Sequence, residues 1–227
     1  MLTLGIDTAG EQGAVGLCRG SEGLSALNFV ATLQHGEKLL PAIEVILHWS
    51  GVHRDDLELI AVSTGPGSFT GLRIGMAIAK GLAHSLDVPL VGVPTLATYA
   101  RAVSFWPGPV YALLLDRREL VYWAGFREGE PFTREQTEPI EPLLTRLRGE
   151  SERPLLIGPG AEYHRLLIAA RVPELAIAPQ ILNRPSGLQV AWLGWATYQA
   201  KGENQVDTLE PIYAQPPLAQ PAGPQVD

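Results

Sequence analysis

The chain has 227 residues, 46% hydrophobic and 18% charged, a composition that supports a full core in one large domain or two smaller ones. Seventeen basic residues stand against 24 acidic ones, a net charge of −7 without a lysine- or arginine-rich run, which disfavours a surface that itself grips RNA or DNA strongly. Cys18 is the single cysteine, so a disulfide framework and a thiolate metal cluster are excluded.

Met1–Asp7 lacks a basic leader region and reads as a strand rather than a signal peptide. Every long uncharged run falls short of the roughly 20 residues of a membrane span or is broken by proline, so a soluble cytoplasmic protein is expected. In chain order, Leu2–Asp7, Ala14–Cys18 and Leu24–Ala31 read as strands joined by turns at Gly10–Gly13 and Gly20–Gly23, an antiparallel meander. Leu39, Leu40, Ile43, Ile46 and Leu47 then fall at helical spacing within a helix over Glu37–Trp49, which Gly51 ends. Leu59–Ser63 is a short β-branched strand. After a glycine-rich turn, a helix runs from Thr70, read as its N-cap, to Leu86. A strand at Pro89–Val93 and a helix opened by Pro94 and Thr95 complete a first lobe, residues 1–104.

Phe105–Pro109 is a natural boundary. Beyond it the pattern partly repeats over residues 105–214. Strands are expected at Val110–Asp116, Leu120–Arg127 and Leu155–Gly158, and helices at Pro139–Arg148, Gly160–Arg171 and Gly187–Lys201. The tail 215–227 carries four prolines and little apolar content, and is expected to be disordered.

The stretch Gly65–Gly75, reading GPGSFTGLRIG, carries the most information. A glycine-rich turn feeding a helix N-terminus is one way to build an anion site, because unpaired N–H groups point at the turn. The helix carries a second pattern: Gly71, Gly75, Ala79 and Ala83 form a smooth stripe, with Leu72 and Met76 beside it. Each glycine inside a helix costs about 1 kcal/mol relative to alanine, so a close backbone approach is implied. Two partners stay open, the chain's own sheet or first helix and a helix of another molecule.

Asp7 and Thr8 end the first strand, where such residues either hold a metal-bound phosphate or simply bond the turn backbone. His35, His48, His53, His84 and His164 lack the i, i+4 spacing of a helical zinc site, so no metal is expected. Ser63, Thr64, Ser68 and Thr70 lie outside any nucleophile elbow, and turn hydrogen bonding accounts for them. Arg73 would bind a phosphate or carboxylate, or make an intrachain salt bridge. Asp116–Glu119 reads as a charged hairpin tip without catalytic work. The residues by themselves thus point to a bilobal α/β protein with no credible catalytic set.

The motifs taken together resemble the TsaB (YeaZ-like) family. They are Ile6-Asp7-Thr8, His35-x-Glu37-x-Leu39-Leu40-Pro41, the 65–75 block with Ala79–Ala83, Val91-x-Val93, Val121-Tyr122, Gly158-Pro-Gly160 and Pro211-x-Tyr213. The resemblance implies a two-lobed actin-like ATPase (ribonuclease H-like) fold of mixed sheets flanked by helices. It also implies a part in N6-threonylcarbamoylation of adenosine 37 in tRNAs that read codons beginning with A. In that family the chain is a non-catalytic subunit. It pairs with a TsaD-like catalytic protein, joins a TsaE-like ATPase in a larger assembly, and meets tRNA through its partners. The H-x-x-x-H pair of the catalytic relative is missing here.

The family's dimer surface, formed by the first two helices, would place Leu39, Ile43, Gly71, Leu72, Gly75, Met76, Ala79 and Ala83 at the partner interface. A homodimer of the lone chain is left open. Asp7, Thr8, Gly65 and Gly67 would be a vestigial nucleotide site. The chain would carry no cofactor of its own, with ATP entering at the level of the complex. An autonomous ATP-binding enzyme of the sugar-kinase-like fold is the alternative, and a metallopeptidase a third reading. Two departures from the family pattern stand out: Asp116 is followed directly by Arg117, and Tyr213 by Ala214 and Gln215 in place of an aliphatic residue and arginine.

Overall fold

In the computed structural model, which describes residues 1–31, 34–116 and 120–213, the meander forms as expected from β1 (Leu2–Asp7), β2 (Gln12–Arg19) and β3 (Glu22–Val30). α1 (His35–Trp49) follows, then β4 (Leu59–Gly65), α2 (Phe69–Leu86), β5 (Leu90–Pro94) and α3 (Thr95–Ala102). β4 lies parallel to β1, giving a mixed sheet of order β3-β2-β1-β4-β5. β1 is buried at every position because helices cover both faces of this sheet.

One face packs Leu2, Leu4, Ile6, Val15 and Leu17 against Leu39, Ile43 and Ile46 of α1 and Met76, Ala79 and Ala83 of α2. α2 begins earlier than expected. Ser68, not Thr70, is its N-cap, its hydroxyl accepting from the Gly71 N–H at 3.2 Å.

The second sheet runs β11-β10-β6-β7-β8, with β9 also on β7. Its strands are β6 (Val110–Leu115), β7 (Leu120–Arg127), β8 (Glu130–Pro131), β9 (Gln136–Pro139), β10 (Leu155–Ile157) and β11 (Ala176–Ile177). Helices α4 (Ile140–Leu147), α5 (Pro159–Tyr163) and α6 (Arg165–Arg171) accompany it. The single helix expected over Gly160–Arg171 is two, meeting at His164. The hairpin tip at Arg117–Glu119 and the tail beyond Tyr213 lie outside the described residues, with both departures they contain.

The division by chain order at residue 105 needs correcting. α7 (Gly187–Lys201) leaves the second lobe and lies on the free face of the first sheet. Gly5 and Gly16 face each other across β1 and β2, and a side-chain carbon on either would overlap the backbone of α7 at Gly187–Ala191. Gly194 likewise sits on the Ala61 methyl group, so the glycines bring helix and sheet into close contact. The chain then runs back along the edge strand β5. Asn204 Oδ1 accepts from the Leu90 N–H at 3.1 Å, the Gln205 N–H donates to the Leu90 carbonyl at 2.9 Å, and Gln205 Oε1 accepts from the Gly92 N–H at 2.8 Å. This strap occupies the edge that β5 would otherwise expose. Among the described residues no helix is long and apolar enough to cross a membrane.

Candidate functional site

The end of β1 and the glycine turn before α2 are brought together, as the Asp7, Thr8, Gly65 and Gly67 set requires. Their contacts are with each other. The Ser68 N–H donates to the Ala9 carbonyl at 2.7 Å, and the Thr8 hydroxyl donates to the Gly71 carbonyl at 2.8 Å. A side-chain carbon on Gly67 would crowd Ala9. Gly65 has φ +119°, which glycine adopts without strain, and the Ile212 carbonyl fills the space beside it.

Asp7 is 1% exposed. Its Oδ1 accepts from the Ala9 N–H at 2.9 Å, while Oδ2 forms no hydrogen bond. Burial pushes this carboxyl above the usual range, offset in part by the Ala9 amide and the Ser63 hydroxyl. Tyr99 is pushed well up by its own burial and then by the Asp7 charge. Among the described residues no three histidine, cysteine, aspartate or glutamate side chains gather where they could hold a metal ion. The second turn, Gly158-Pro159-Gly160, is also engaged within the chain. Its Gly158 N–H donates to Asn183 Oδ1 at 2.8 Å, and Asn183 Nδ2 donates to Glu162 at 3.0 Å.

The eight residues expected at a partner interface are all inside this chain. Leu39, Ile43, Gly71, Leu72, Gly75, Met76, Ala79 and Ala83 are buried in the first lobe. The reason is local. A side-chain carbon on Gly71 would overlap the Thr8 carbonyl and one on Gly75 the Thr8 hydroxyl, so the stripe lets α2 close onto the end of β1. The intrachain alternative, left open by the sequence, is the one realised.

A different row of α2 faces outward. Phe69, Arg73, Ala77 and Gly81 are exposed and four residues apart, with Ile74 and Ile78 half-buried beside them. Gly81 has nothing within 4 Å of where a side chain would start, so no contact among the described residues requires a glycine there. On the same side of the sheet, α1 exposes Leu40 at 45% and Trp49 at 72%. Sequence reasoning missed this row. Its signal was a second i, i+4 series containing two small residues, Ala77 and Gly81, parallel to the one chosen.

Arg73 makes no salt bridge among the described residues. Its Nε donates to Tyr213 Oη at 2.8 Å and its guanidinium lies 3.9 Å from the Phe69 ring centroid. The Phe69 and Tyr213 rings are 4.8 Å apart between centroids. Two motifs 140 residues apart in the chain thus meet in one cluster.

A family model described as "TsaD: tRNA N6-adenosine threonylcarbamoyltransferase" matches residues 29–143. The tRNA threonylcarbamoyladenosine biosynthesis protein TsaB of Bacillus subtilis is 30% identical over 202 residues, 86% of this chain and 87% of that protein. The chain belongs to the TsaB family. The Escherichia coli TsaB protein is 38% identical over 133 residues, and the match spans 57% of each chain. A Pseudomonas aeruginosa structure, described as an uncharacterized protein with similarity to peptidase YEAZ, superposes with a TM-score of 0.78 at 26% identity. It covers 94% of this chain and 99% of that one.

The activator of 2-hydroxyisocaproyl-CoA dehydratase from Clostridium difficile, solved with bound ADPNP, shares the fold at a TM-score of 0.56 and 10% identity, over 89% and 97% of the two chains. The two mixed sheets with flanking helices are therefore the two-lobed actin-like ATPase fold expected. In this TsaB-family chain the glycine turn before α2 is held by contacts between Ala9, Gly67 and Ser68.

Proposed function

We propose that this chain is a cytoplasmic, non-catalytic activating subunit in tRNA threonylcarbamoyladenosine biosynthesis. It pairs with a TsaD-like catalytic protein that modifies adenosine 37 of tRNAs reading codons that begin with A. Family membership supplies the process. The role within it rests on one observation: the outer row of α2, uncovered among the described residues, with Gly81 at its C-terminal end serving no contact with them. A helix interior that forgoes about 1 kcal/mol at an open position gains something outside the chain.

The pairing surface in this reading is the outer face of α1 and α2, with Leu40, Phe69, Ala77 and Gly81, in place of the buried stripe. A TsaE-like ATPase joins the larger assembly, and tRNA is held by the partners, consistent with the net charge of −7. The chain brings no cofactor, and ATP belongs to the complex. Without its partner the same face pairs two copies of the chain, because a large apolar patch rarely stays open.

Light scattering coupled to size-exclusion chromatography tests the reading, on the chain alone and mixed with the TsaD-like protein of the same organism. A 1:1 complex that is lost in Gly81→Leu, with the fold of the variant intact, is the expected result. Persistence of separate species at micromolar concentration would overturn it. One observation favours the alternative of an ATP-binding enzyme, the unpartnered Asp7 Oδ2 beside the glycine turn. That alternative requires saturable, magnesium-dependent ATP binding by the isolated chain, abolished in Asp7→Ala; a calorimetric titration without heat removes it.

A further inference from the structure

Arg73 is exposed, yet it is held in place before any partner arrives. Tyr213 takes its Nε, and its guanidinium lies over Phe69 at 3.9 Å and beside Tyr213 at 5.7 Å. The residues three and four positions away along α2, namely Phe69, Thr70, Met76 and Ala77, are all uncharged. Arg73 forms no ion pair among the described residues, so Phe69 and Tyr213 rather than a carboxylate hold it.

The arrangement has the physics of a binding anchor. An arginine normally loses much rotamer freedom when it enters an interface; here stacking and the Tyr213 hydrogen bond have already ordered the side chain. With Nε occupied, the two terminal nitrogens remain, a fork that fits a carboxylate through two parallel hydrogen bonds. Phe69, Ala77 and Gly81 on the same row can be dried around it, the setting in which arginine and aromatic residues carry binding energy. A nucleic acid partner would need several cations, and Lys80 is the only other lysine or arginine of α2.

We propose that Arg73, held by Phe69 and by Tyr213 at the end of the C-terminal strap, is the charged anchor of the outer face of α2, and that it takes a carboxylate of the partner protein. This rests on the pairing surface assigned above. The strap is then part of the binding face. Ile212 ties it to the glycine turn through its N–H to the Thr64 carbonyl at 2.7 Å, one residue before Tyr213 meets Arg73.

The test is calorimetric titration of the full chain with the TsaD-like protein of the same organism, at low and high salt. Arg73→Ala is expected to weaken binding about 30-fold and to flatten its salt dependence. Arg73→Lys keeps the charge but neither the fork nor the stacking, and should lose nearly as much. It also stands in for Arg73→Ala if that variant proves unstable. Tyr213→Phe, which keeps the ring and removes the hydrogen bond, should cost a few-fold, read as faster dissociation. No complex with the native chain would overturn the pairing reading and this one with it. A complex that Arg73→Ala and Arg73→Lys form with native affinity would overturn the anchor alone. Variants that keep partner affinity but weaken tRNA binding by the assembled complex would assign Arg73 to a phosphate and overturn the carboxylate.

Discussion

Gly75 and Gly81 share one helix and one residue type, and their environments give them opposite roles. Adding a methyl group at Gly75 drives it into the Thr8 hydroxyl and displaces the bond that hydroxyl makes to Gly71. Gly75→Ala is therefore expected to destabilise the chain by about 1–3 kcal/mol, the usual range for overpacking. At Gly81 the space is open, so Gly81→Ala should stabilise it by about 1 kcal/mol through helix propensity alone. Urea denaturation of both variants reads the two signs directly, and equal effects would refute the assignment of inner and outer rows. For the same reason a bulky residue at Gly75 reports on folding rather than on pairing.

Asp7 yields a prediction in pH. Its folded-state carboxyl titrates above the unfolded value because burial disfavours the charge. The stability it contributes is thus fully present below the unfolded pKa, near 4, and is lost as pH rises through the raised folded value. Above that raised value the native chain would carry a desolvated carboxylate, one oxygen of which forms no hydrogen bond. Asp7→Asn should raise the melting temperature at pH 7 by a few degrees, and the gap should narrow towards pH 4. A melting temperature lowered at pH 7 would mean that the charge is needed where it stands.

At the scale of elements, helical and strand periodicity made most of this fold legible. β1, β7 and α7 occupy the expected spans, and the core positions of α1 follow its apolar spacing. What periodicity leaves out is the identity of the neighbour. The stripe on α2 announced a close approach, but nothing in its spacing distinguishes the Thr8 backbone from a helix of another molecule. β8 and β9, two and four residues long and largely polar, lack any apolar alternation; they exist because β7 offers them backbone partners. Tyr213 and Arg73 each carried a family motif, yet their contact is a tertiary fact.

The strap offers a test at this scale. Gln205 and Asn204 saturate the outer amides of β5 with side-chain oxygens. The double change Asn204→Ala and Gln205→Ala should accelerate hydrogen exchange at Leu90 and Gly92 while leaving β1 and β4 protected. Unchanged exchange at both amides would show that the strap does not guard this edge.

For the whole molecule, the return of α7 decides what can fold alone. The first sheet needs covers on both faces, and the 105-residue boundary assigns one of them to the distant end of the chain. A fragment of residues 1–104 would expose the floor formed by Gly5, Gly16, Ala61 and Val93. Glycine backbone and the apolar Ala61 and Val93 side chains would lie bare at that surface, so the fragment is expected to aggregate or stay molten. Circular permutation supplies the matching positive case. Residues 187–213 joined by a flexible linker ahead of residue 1 would restore helix, strap and the Arg73–Tyr213 contact to the first lobe alone. This variant, ending at residue 104, should give dispersed amide resonances and a cooperative melt, whereas 1–104 should give neither. It should also bind the TsaD-like partner if the outer faces of α1 and α2 with the strap are the whole of the pairing surface. A folded permuted lobe that fails to bind would place part of that surface in the second lobe.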